Sequence, residues 1–364
     1  MVNREQVIWA YRLLLEREPE SELVISEKLN NKSLGDLINE FLSSPEYRRL
    51  NGVSAYGIEY YFTPYDVSLL ESIKIDNLKS KDGYIINFMG TCIDCSFFPN
   101  TSNRSGEIIS QLPIPDDTLH AEAFEYISLI EGINSVQNNR EVAIVEIGAG
   151  WGPWIVNGAL IAKRQNKSAR LLAVEMLSDK ITHLFAHLNN NEIYTGIDKS
   201  VNIWHHQENN YIKVVHGAVA QNDGIMYAPL VNGSSDHGAR PSVNQEKTDY
   251  RGLEVSYEGI SSYSLSTLLQ DLPVVDFMHV DIQGFEYQII SESIQTLQKK
   301  VRYLFIGTHS RKIEGDLFSL LYDAGWILLR EKPCTFRFEK GSTPTLEGLV
   351  IQDGGQQWQN PFLD

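Results

Sequence analysis

Long hydrophobic runs are missing from this sequence: no stretch approaches the roughly 20 consecutive apolar residues that a membrane-spanning helix needs. The opening MVNREQVIWAYRLLLEREPE also lacks a signal peptide's basic start, apolar core and cleavage site, so a cytoplasmic protein without a membrane span is expected. Cysteine is scarce. Cys92, Cys95 and Cys334 are the only three in 364 residues, which suits a reducing compartment. Cys92-Ile-Asp-Cys95 has metal-knuckle spacing, but no second Cys or His pair stands at finger spacing, so ordinary thiols are expected. Positive charge is in deficit too: 31 Lys and Arg face 47 Asp and Glu, for a formal net charge of -16. With no basic stripe to offset it, the chain would repel a phosphate backbone, which argues against a nucleic-acid partner.

What is present is ordinary for a globular protein: 42% hydrophobic and 21% charged residues, over a length that calls for more than one folding unit. Residues 1–52 read as a helical domain. Val7, Trp9-Ala10 and Leu13-Leu14-Leu15 recur at helical spacing, Pro19 interrupts, and Leu34, Leu37-Ile38 and Phe41-Leu42 resume. No polar cluster converges there, so docking or homo-oligomerisation is expected of it. Residues 53–139 form a connecting region. In it Tyr56, Tyr60, Tyr61, Phe62 and Tyr65 make an aromatic patch that suits a core or a sugar-stacking platform, with a core expected. Ile85 to Gly90 reads as a strand, Phe97 to Asn100 as its turn, and Ala121 to Ile133 as a helix capped by Asp116 or Asp117.

From 140 to 353 strands and helices alternate. Val142 to Ile147 is an apolar run carrying one carboxylate, Glu146, and it leads into Gly148, Gly150 and Gly152 at alternate positions. The run reads as a buried parallel strand whose glycines let backbone amides and a helix N-terminus press against a ligand. Open α/β sheets hold nucleotide-like cofactors at such strand ends. The spacing is G-x-G-x-G, not the G-x-G-x-x-G of a dinucleotide site. A second strand, Arg170 to Met176, sets Glu175 to accept hydrogen bonds from ribose hydroxyls, and a third, Tyr211 to Val219, sets His216 and Gly217 beside an adenine edge. Val274 to Asp281 is a further strand, with Asp281 and Gln283 projecting into the same crevice, and Val301 to His309 sets His309 beside them. Gly325 to Arg330 and Gly348 to Gln352 suit an antiparallel C-terminal strand pair, with 354–364 as a tail. His205-His206 reads as a solvated loop. The turn-rich stretch 231–241 offers Asp236, His237 and Arg240 to a substrate, or is a plain exposed loop.

The glycine loop with its upstream acid resembles motif I of class I S-adenosylmethionine methyltransferases. From roughly Pro113 to Asp353 the chain resembles the FkbM-type methyltransferases. The resemblance rests on EIGAGWG (Glu146 to Gly152), AVE (Ala173 to Glu175), HGAVA (His216 to Ala220), the D-x-x-G-x-E frame of Asp281 to Glu286, and GTHSRKIEG (Gly307 to Gly315). Common members carry D-V-E-G-A-E where this chain has D-I-Q-G-F-E, so no acid or metal role is carried over to Gln283. AYRLLLEREPE and FLSSPEYRRL resemble a short helical domain found beside glycosyltransferases.

The resemblance implies an α/β fold: a class I methyltransferase (Rossmann-like), mostly parallel sheet with an antiparallel C-terminal strand pair, plus the N-terminal helical domain. It implies methyl transfer from S-adenosylmethionine to a hydroxyl of a sugar, as in a glycan, or of a secondary metabolite. Glu146, Gly148, Gly150, Gly152, Glu175, His216, Gly217 and Asp281 would then bind the cofactor, and Gln283, Asp236, His237, Arg240 and His120 the acceptor. His120 and Glu122 begin a helix that covers the cofactor in many such enzymes, or are surface residues. A sugar hydroxyl benefits from a base, and a neutral His309 or Asp281 suits that work. Alternatively, Asp281 binds the cofactor's amino group and His309 braces its strand end. No metal is expected, although Asp281 and His309 with Glu286 or His216 make an oxygen-rich alternative for Mg²⁺. Two other classes remain in view: an NAD-dependent dehydrogenase on the same sheet, and a non-catalytic scaffold in glycan assembly.

Overall fold

The computed structural model describes residues 2–15, 17–42, 44, 46–47, 62–98, 101–137, 140–230, 238–337 and 343–363, with Asn39 described in its backbone alone. The chain divides into two compact units, Met1–Tyr61 and Phe62–Asp364.

The first unit carries helices α1 (Arg4–Leu14), α2 (Glu22–Lys28) and α3 (Leu34–Leu42). Asn3 and Gln6 form a capping box on α1, and the Ser21 hydroxyl accepts from the Val24 amide at α2, satisfying donors that a first helical turn leaves open. Their apolar faces meet around Val7, Ala10, Tyr11, Leu37 and Phe41, with the Tyr11 and Phe41 rings edge to face at 4.7 Å.

The second unit opens with α4 (Pro64–Ile73), a hairpin of β1 (Tyr84–Ile86) and β2 (Cys92–Asp94), and α5 (Ala123–Asn134). The strand–helix alternation follows: β3 (Val142–Ile147), α6 (Pro153–Arg164), β4 (Ala169–Glu175), α7 (Ser178–Asn190), β5 (Trp204–Gln207) and β6 (Asn210–His216). A small sheet of β7 (Ala218–Val219), β8 (Gly224–Leu230) and β9 (Ser256–Tyr263) comes next, then α8 (Leu265–Leu269), β10 (Val275–Val280), α9 (Glu286–Lys300), β11 (Val301–Thr308) and α10 (Arg311–Asp323). The last strands are β12 (Ile327–Lys332), β13 (Thr335–Phe336), β14 (Val350–Gln352) and β15 (Gly354–Gln359).

The main sheet has eight strands in the order β12-β15-β11-β10-β3-β4-β6-β5. Its centre, β11 through β6, is parallel, and β15 lies antiparallel between β11 and β12. This is the Rossmann-like, class I methyltransferase sheet that the resemblance implied. Strand order reverses between β3 and β10, where such sheets open a crevice for ligands. Alternate residues of the central strands feed two cores. Ile144, Phe277 and Phe305 pack under α5 and α6, while Val145, Met278 and Leu304 pack under α9 and α10. With both faces covered, β3 and β10 are buried along their whole length, which explains why they are mostly apolar, with Glu146, Asp276 and His279 as their buried polar residues.

Several expectations change. Residues from Phe62 onward do not merely connect, because Leu70, Ile73, Phe88 and Met89 belong to the same core as the sheet. Helix α5 begins at Ala123 with Glu122 and Glu125 as its capping box. The Asp117 carboxylate instead accepts from the amides of Leu119, His120 and Ala121, which shapes the turn before the helix. The segment expected as a tail supplies β15, and Val350–Gln352 pairs with β13 in a separate two-stranded sheet. His205 and His206 lie in edge strand β5, where His205 is buried against the Tyr194 hydroxyl and the Ser200 carbonyl. All three cysteines are free and buried. Of the aromatic patch, Tyr56, Tyr60 and Tyr61 lie outside the described residues; Phe62 packs on the core and Tyr65 is exposed. No helix among the described residues is long and apolar enough to cross a membrane.

Candidate active site

The loop after β3 is built from left-handed glycines. Gly148, Gly150 and Gly152 have φ of 74°, 53° and 75°, a region that side chains rarely adopt. They are glycines for different reasons. A Cβ on Gly148 would stand 1.8 Å from the Asp281 carbonyl oxygen, so β3 and the end of β10 touch only because it has none. A Cβ on Gly150 would meet nothing within 4 Å, because that face opens on a cavity. Gly152 caps α6 and has no side chain to satisfy its amides, so Glu146 supplies the acceptor: its carboxylate oxygens take the Trp154 and Ile155 N–H groups at 3.3 and 3.0 Å. Burial pushes the Glu146 carboxyl up to about 8 despite those two bonds.

Glu175, at the end of β4, accepts from the Gly150 amide at 2.7 Å and the Leu177 amide at 2.8 Å, tying its carboxylate to the glycine loop. Burial raises its carboxyl as well. The loop and this strand end wall a cavity of about 530 Å³, also lined by Glu146, Gly217, Asp281, Gln283 and His120. Gly152, His216, Arg240 and His309, all expected at the site, do not line it. The His216 ring turns to the Met176 carbonyl at 3.0 Å and so braces the loop after β4. Arg240 lies over the Tyr250 ring at 4.2 Å, while its neighbours Gly238, Ala239 and Pro241 reach the cavity. Asp236 and His237 lie outside the described residues.

The D-x-x-G-x-E frame resolves into a clamp. Glu286 Oε1 accepts from the amides of Ile282 and Gly284 at 3.1 and 2.9 Å and faces His309 Nδ1 at 2.9 Å, so the first turn of α9 folds the loop after β10 onto itself. The other histidine nitrogen, Nε2, stands 3.4 Å from Asp281 Oδ1 and 3.6 Å from Asp353 Oδ1. Burial alone would lower the His309 pKa, but the charge and hydrogen bond of Glu286, with Asp281 and Asp353 behind them, raise it to about 10. His309 is therefore an imidazolium at neutral pH. That corrects its expected role as a neutral base: it has no free lone pair and lines no part of the cavity. It orients Asp281, whose own carboxyl is raised by burial and pulled back by the His309 charge. Gln283 donates from Nε2 to Asp281 Oδ1 at 3.0 Å and accepts from the Tyr250 hydroxyl at 3.3 Å. Asp281, Glu286 and His309 each offer a donor atom within 4.8 Å of the others, the set named above for a cation, and the imidazolium already supplies positive charge there.

The sequence reading missed Glu125, His279 and Asp353. Glu125 Oε1 accepts the Glu122 amide at 2.9 Å, and its Oε2 lies 3.3 Å from His279 Nε2. Burial pushes Glu125 up to about 8 and His279 down to about 4. The His279 ring stacks between Trp154 at 5.2 Å and Phe305 at 5.1 Å. Its signal was strand parity, since His279 and Asp281 are two apart and share a face. Glu125 and Asp353, with His120 and Asp281, also line a second cavity of about 260 Å³ that adjoins the first.

Comparison with known proteins agrees with this construction. The methyltransferase FkbM domain matches residues 146–329, just over half of the chain. A proposed methyltransferase of Jannaschia sp. (strain CCS1) is 27% identical over 258 residues, covering 70% of this chain and 86% of its own. Among solved structures, a METTL16 MTase domain aligns at 17% identity over 65% of each chain, with a TM-score of 0.34. A human methyltransferase 10 domain containing protein aligns at 16% identity over 66% of this chain and 82% of its own, with a TM-score of 0.36. Both scores are low, so the assignment rests on the family match and on the chain's own strand order. The chain belongs to the FkbM methyltransferase domain family.

Proposed function

We propose that this methyltransferase uses S-adenosylmethionine to methylate a hydroxyl group of a sugar or other small metabolite, with Asp281 as the base. The observation that carries the reading is the open face of Gly150 beside Glu175: a cavity at the strand-order reversal whose floor is bare backbone and whose wall is an acceptor carboxylate. About 530 Å³ lies within the roughly 300–1,000 Å³ range of ligand clefts. The residue three past Gly150, where a dinucleotide loop has its third glycine, is Pro153, which disfavours the dehydrogenase alternative. When bound, S-adenosylmethionine supplies an activated methyl group on a sulfonium leaving group.

The chain's own groups then have separate tasks. Glu175 holds ribose hydroxyls, and the bare faces of the glycine loop give the adenosyl portion room. The acceptor enters through the second cavity and meets Asp281 where the two cavities join. Asp281 takes the hydroxyl proton; its burial favours proton uptake, while His309 and Gln283 fix its direction. Most of the rate enhancement then comes from positioning acceptor and methyl group.

Two substitutions separate these tasks. Glu175→Ala loses cofactor affinity, by about 1.5–3 kcal/mol for each charge-assisted hydrogen bond removed. Asp281→Asn keeps most of that affinity and loses turnover, on the order of 10²–10⁴-fold. Calorimetry with S-adenosylhomocysteine and labelled methyl transfer to a hydroxylated acceptor panel read the two effects. Full turnover in Asp281→Asn would remove it as the base.

A further inference from the structure

The second cavity has a one-sided chemistry. Four carboxylates line it, those of Glu122, Glu125, Asp281 and Asp353, and among the described residues that line it there is no lysine or arginine. Lys332 reaches Glu122 from outside and is also bound to the Asp353 carbonyl at 3.1 Å. His309 stands behind Asp281 and Asp353 and is already shared with Glu286. Two anions thus face the cavity with one imidazolium between them, and Glu125 has no cationic side chain in hydrogen-bond contact. Burial lifts Glu122 and Asp281 against the pull of Lys332 and His309, and it lifts Glu125, which has no such partner.

An independent observation points the same way. The His120 side chain is 10% exposed and lines both cavities, and its Nε2 has no hydrogen-bond partner. Its Nδ1 faces Asp117 Oδ2 at 2.9 Å, which turns the unpartnered Nε2 toward the cavities. Burial alone would raise Asp117, but His120 and the amides of the turn outweigh it and hold this carboxylate ionised. Phe124 and Phe305 complete the wall, and aromatic faces attract cations. The polar wall is thus dominated by acceptors; Asp281 and Asp353 share one imidazolium with Glu286, and a cation beside Glu125 would favour its ionised form.

We propose that the methyl acceptor is a small cationic amine, such as an amino sugar, whose ammonium group binds among Glu125, Asp353 and His120 Nε2 while a neighbouring hydroxyl meets Asp281. This rests on the methyltransferase reading above and names its substrate class. A neutral polyol would satisfy the acceptors but leave the charge unbalanced, and an acidic sugar would be repelled. In the transfer, the hydroxyl gives its proton to Asp281, and its oxygen forms the new bond to the methyl carbon. The electron pair of the broken carbon–sulfur bond stays on the cofactor's sulfur.

The test uses the full chain and four matched probes, glucosamine, glucose, N-acetylglucosamine and glucuronic acid, titrated calorimetrically with and without S-adenosylhomocysteine. Glucosamine is expected to bind about tenfold or more tighter than glucose or its N-acetyl derivative, as one charge-assisted hydrogen bond provides. Glucuronic acid should bind least. Asp353→Asn, a change at a half-exposed side chain, should shrink the preference for glucosamine severalfold, and Glu125→Gln should do the same. Equal binding of glucosamine and glucose, no binding of either, or a preference for glucuronic acid overturns the inference. Failure of S-adenosylhomocysteine to bind while glucosamine is still preferred would instead sink the cofactor reading and leave the cationic site standing.

Discussion

Gly150→Val is expected to abolish S-adenosylhomocysteine binding, on the order of a hundredfold or more, while the protein stays folded. The new side chain enters the space that the backbone leaves open, since nothing stands within 4 Å of the Cβ position. The same openness spares the fold, because no neighbour must move. The cost is backbone strain: a β-branched residue at φ of 53° loses about 1–3 kcal/mol, within the roughly 5–15 kcal/mol that holds a domain together. Gly148→Ala makes the contrast. Its methyl would sit 1.8 Å from the Asp281 carbonyl and force β3 from the end of β10, so this smaller change should cost folding itself. Calorimetry and thermal melts on both variants separate the outcomes. Normal binding in Gly150→Val would mean that the loop does not face the cofactor.

His309→Ala is expected to destabilise the protein by about 3–5 kcal/mol, because it strands Glu286, fully buried, without its counter-charge. For a unit of this size that is a melting-temperature loss on the order of 5–10 °C. The loss depends on pH. His309 has its folded pKa raised from 6.5 to about 10, so the folded state holds a proton that the unfolded state releases between those values. Its stabilisation is complete below about pH 6.5 and fades as pH climbs toward 10. Wild type and His309→Ala should therefore differ most at pH 6 and converge toward pH 10. Turnover should also fall, since Asp281 loses its orienting partner. A pH-independent gap in stability would show that the imidazolium is not what joins these carboxylates.

The parts of the site legible in the sequence are those fixed by backbone geometry. Gly148 and Gly150 announce a loop of left-handed backbone, and Glu175 and Asp281 end apolar runs, so strand ends and crevice follow from the residues themselves. What escaped the reading depended on contacts far apart in the chain. Gly354-Gly-Gln-Gln-Trp-Gln359 is too polar to suggest an inner strand, yet the structure buries Gln356 and Gln357 by giving each a partner. Gln356 Nε2 donates to the Glu314 carbonyl at 3.1 Å and Gln357 Nε2 to Glu131 at 2.6 Å. Glu125 was hidden for another reason: a carboxylate three residues past a helix start reads as a cap. It is a cap, through Oε1, while its second oxygen faces His279 at the cavity. His216 and His309 were placed at the correct strand ends, but their rings turn to the Met176 carbonyl and to Glu286, choices that only tertiary packing makes.

Calorimetric titration of the full chain with S-adenosylhomocysteine, with NAD titrated in parallel, shows whether the crevice at the end of β3 holds S-adenosylmethionine. One saturable site for S-adenosylhomocysteine, weakened by Glu175→Ala, and no heat from NAD are expected. Binding of NAD alone, or of neither ligand, would contradict that expectation.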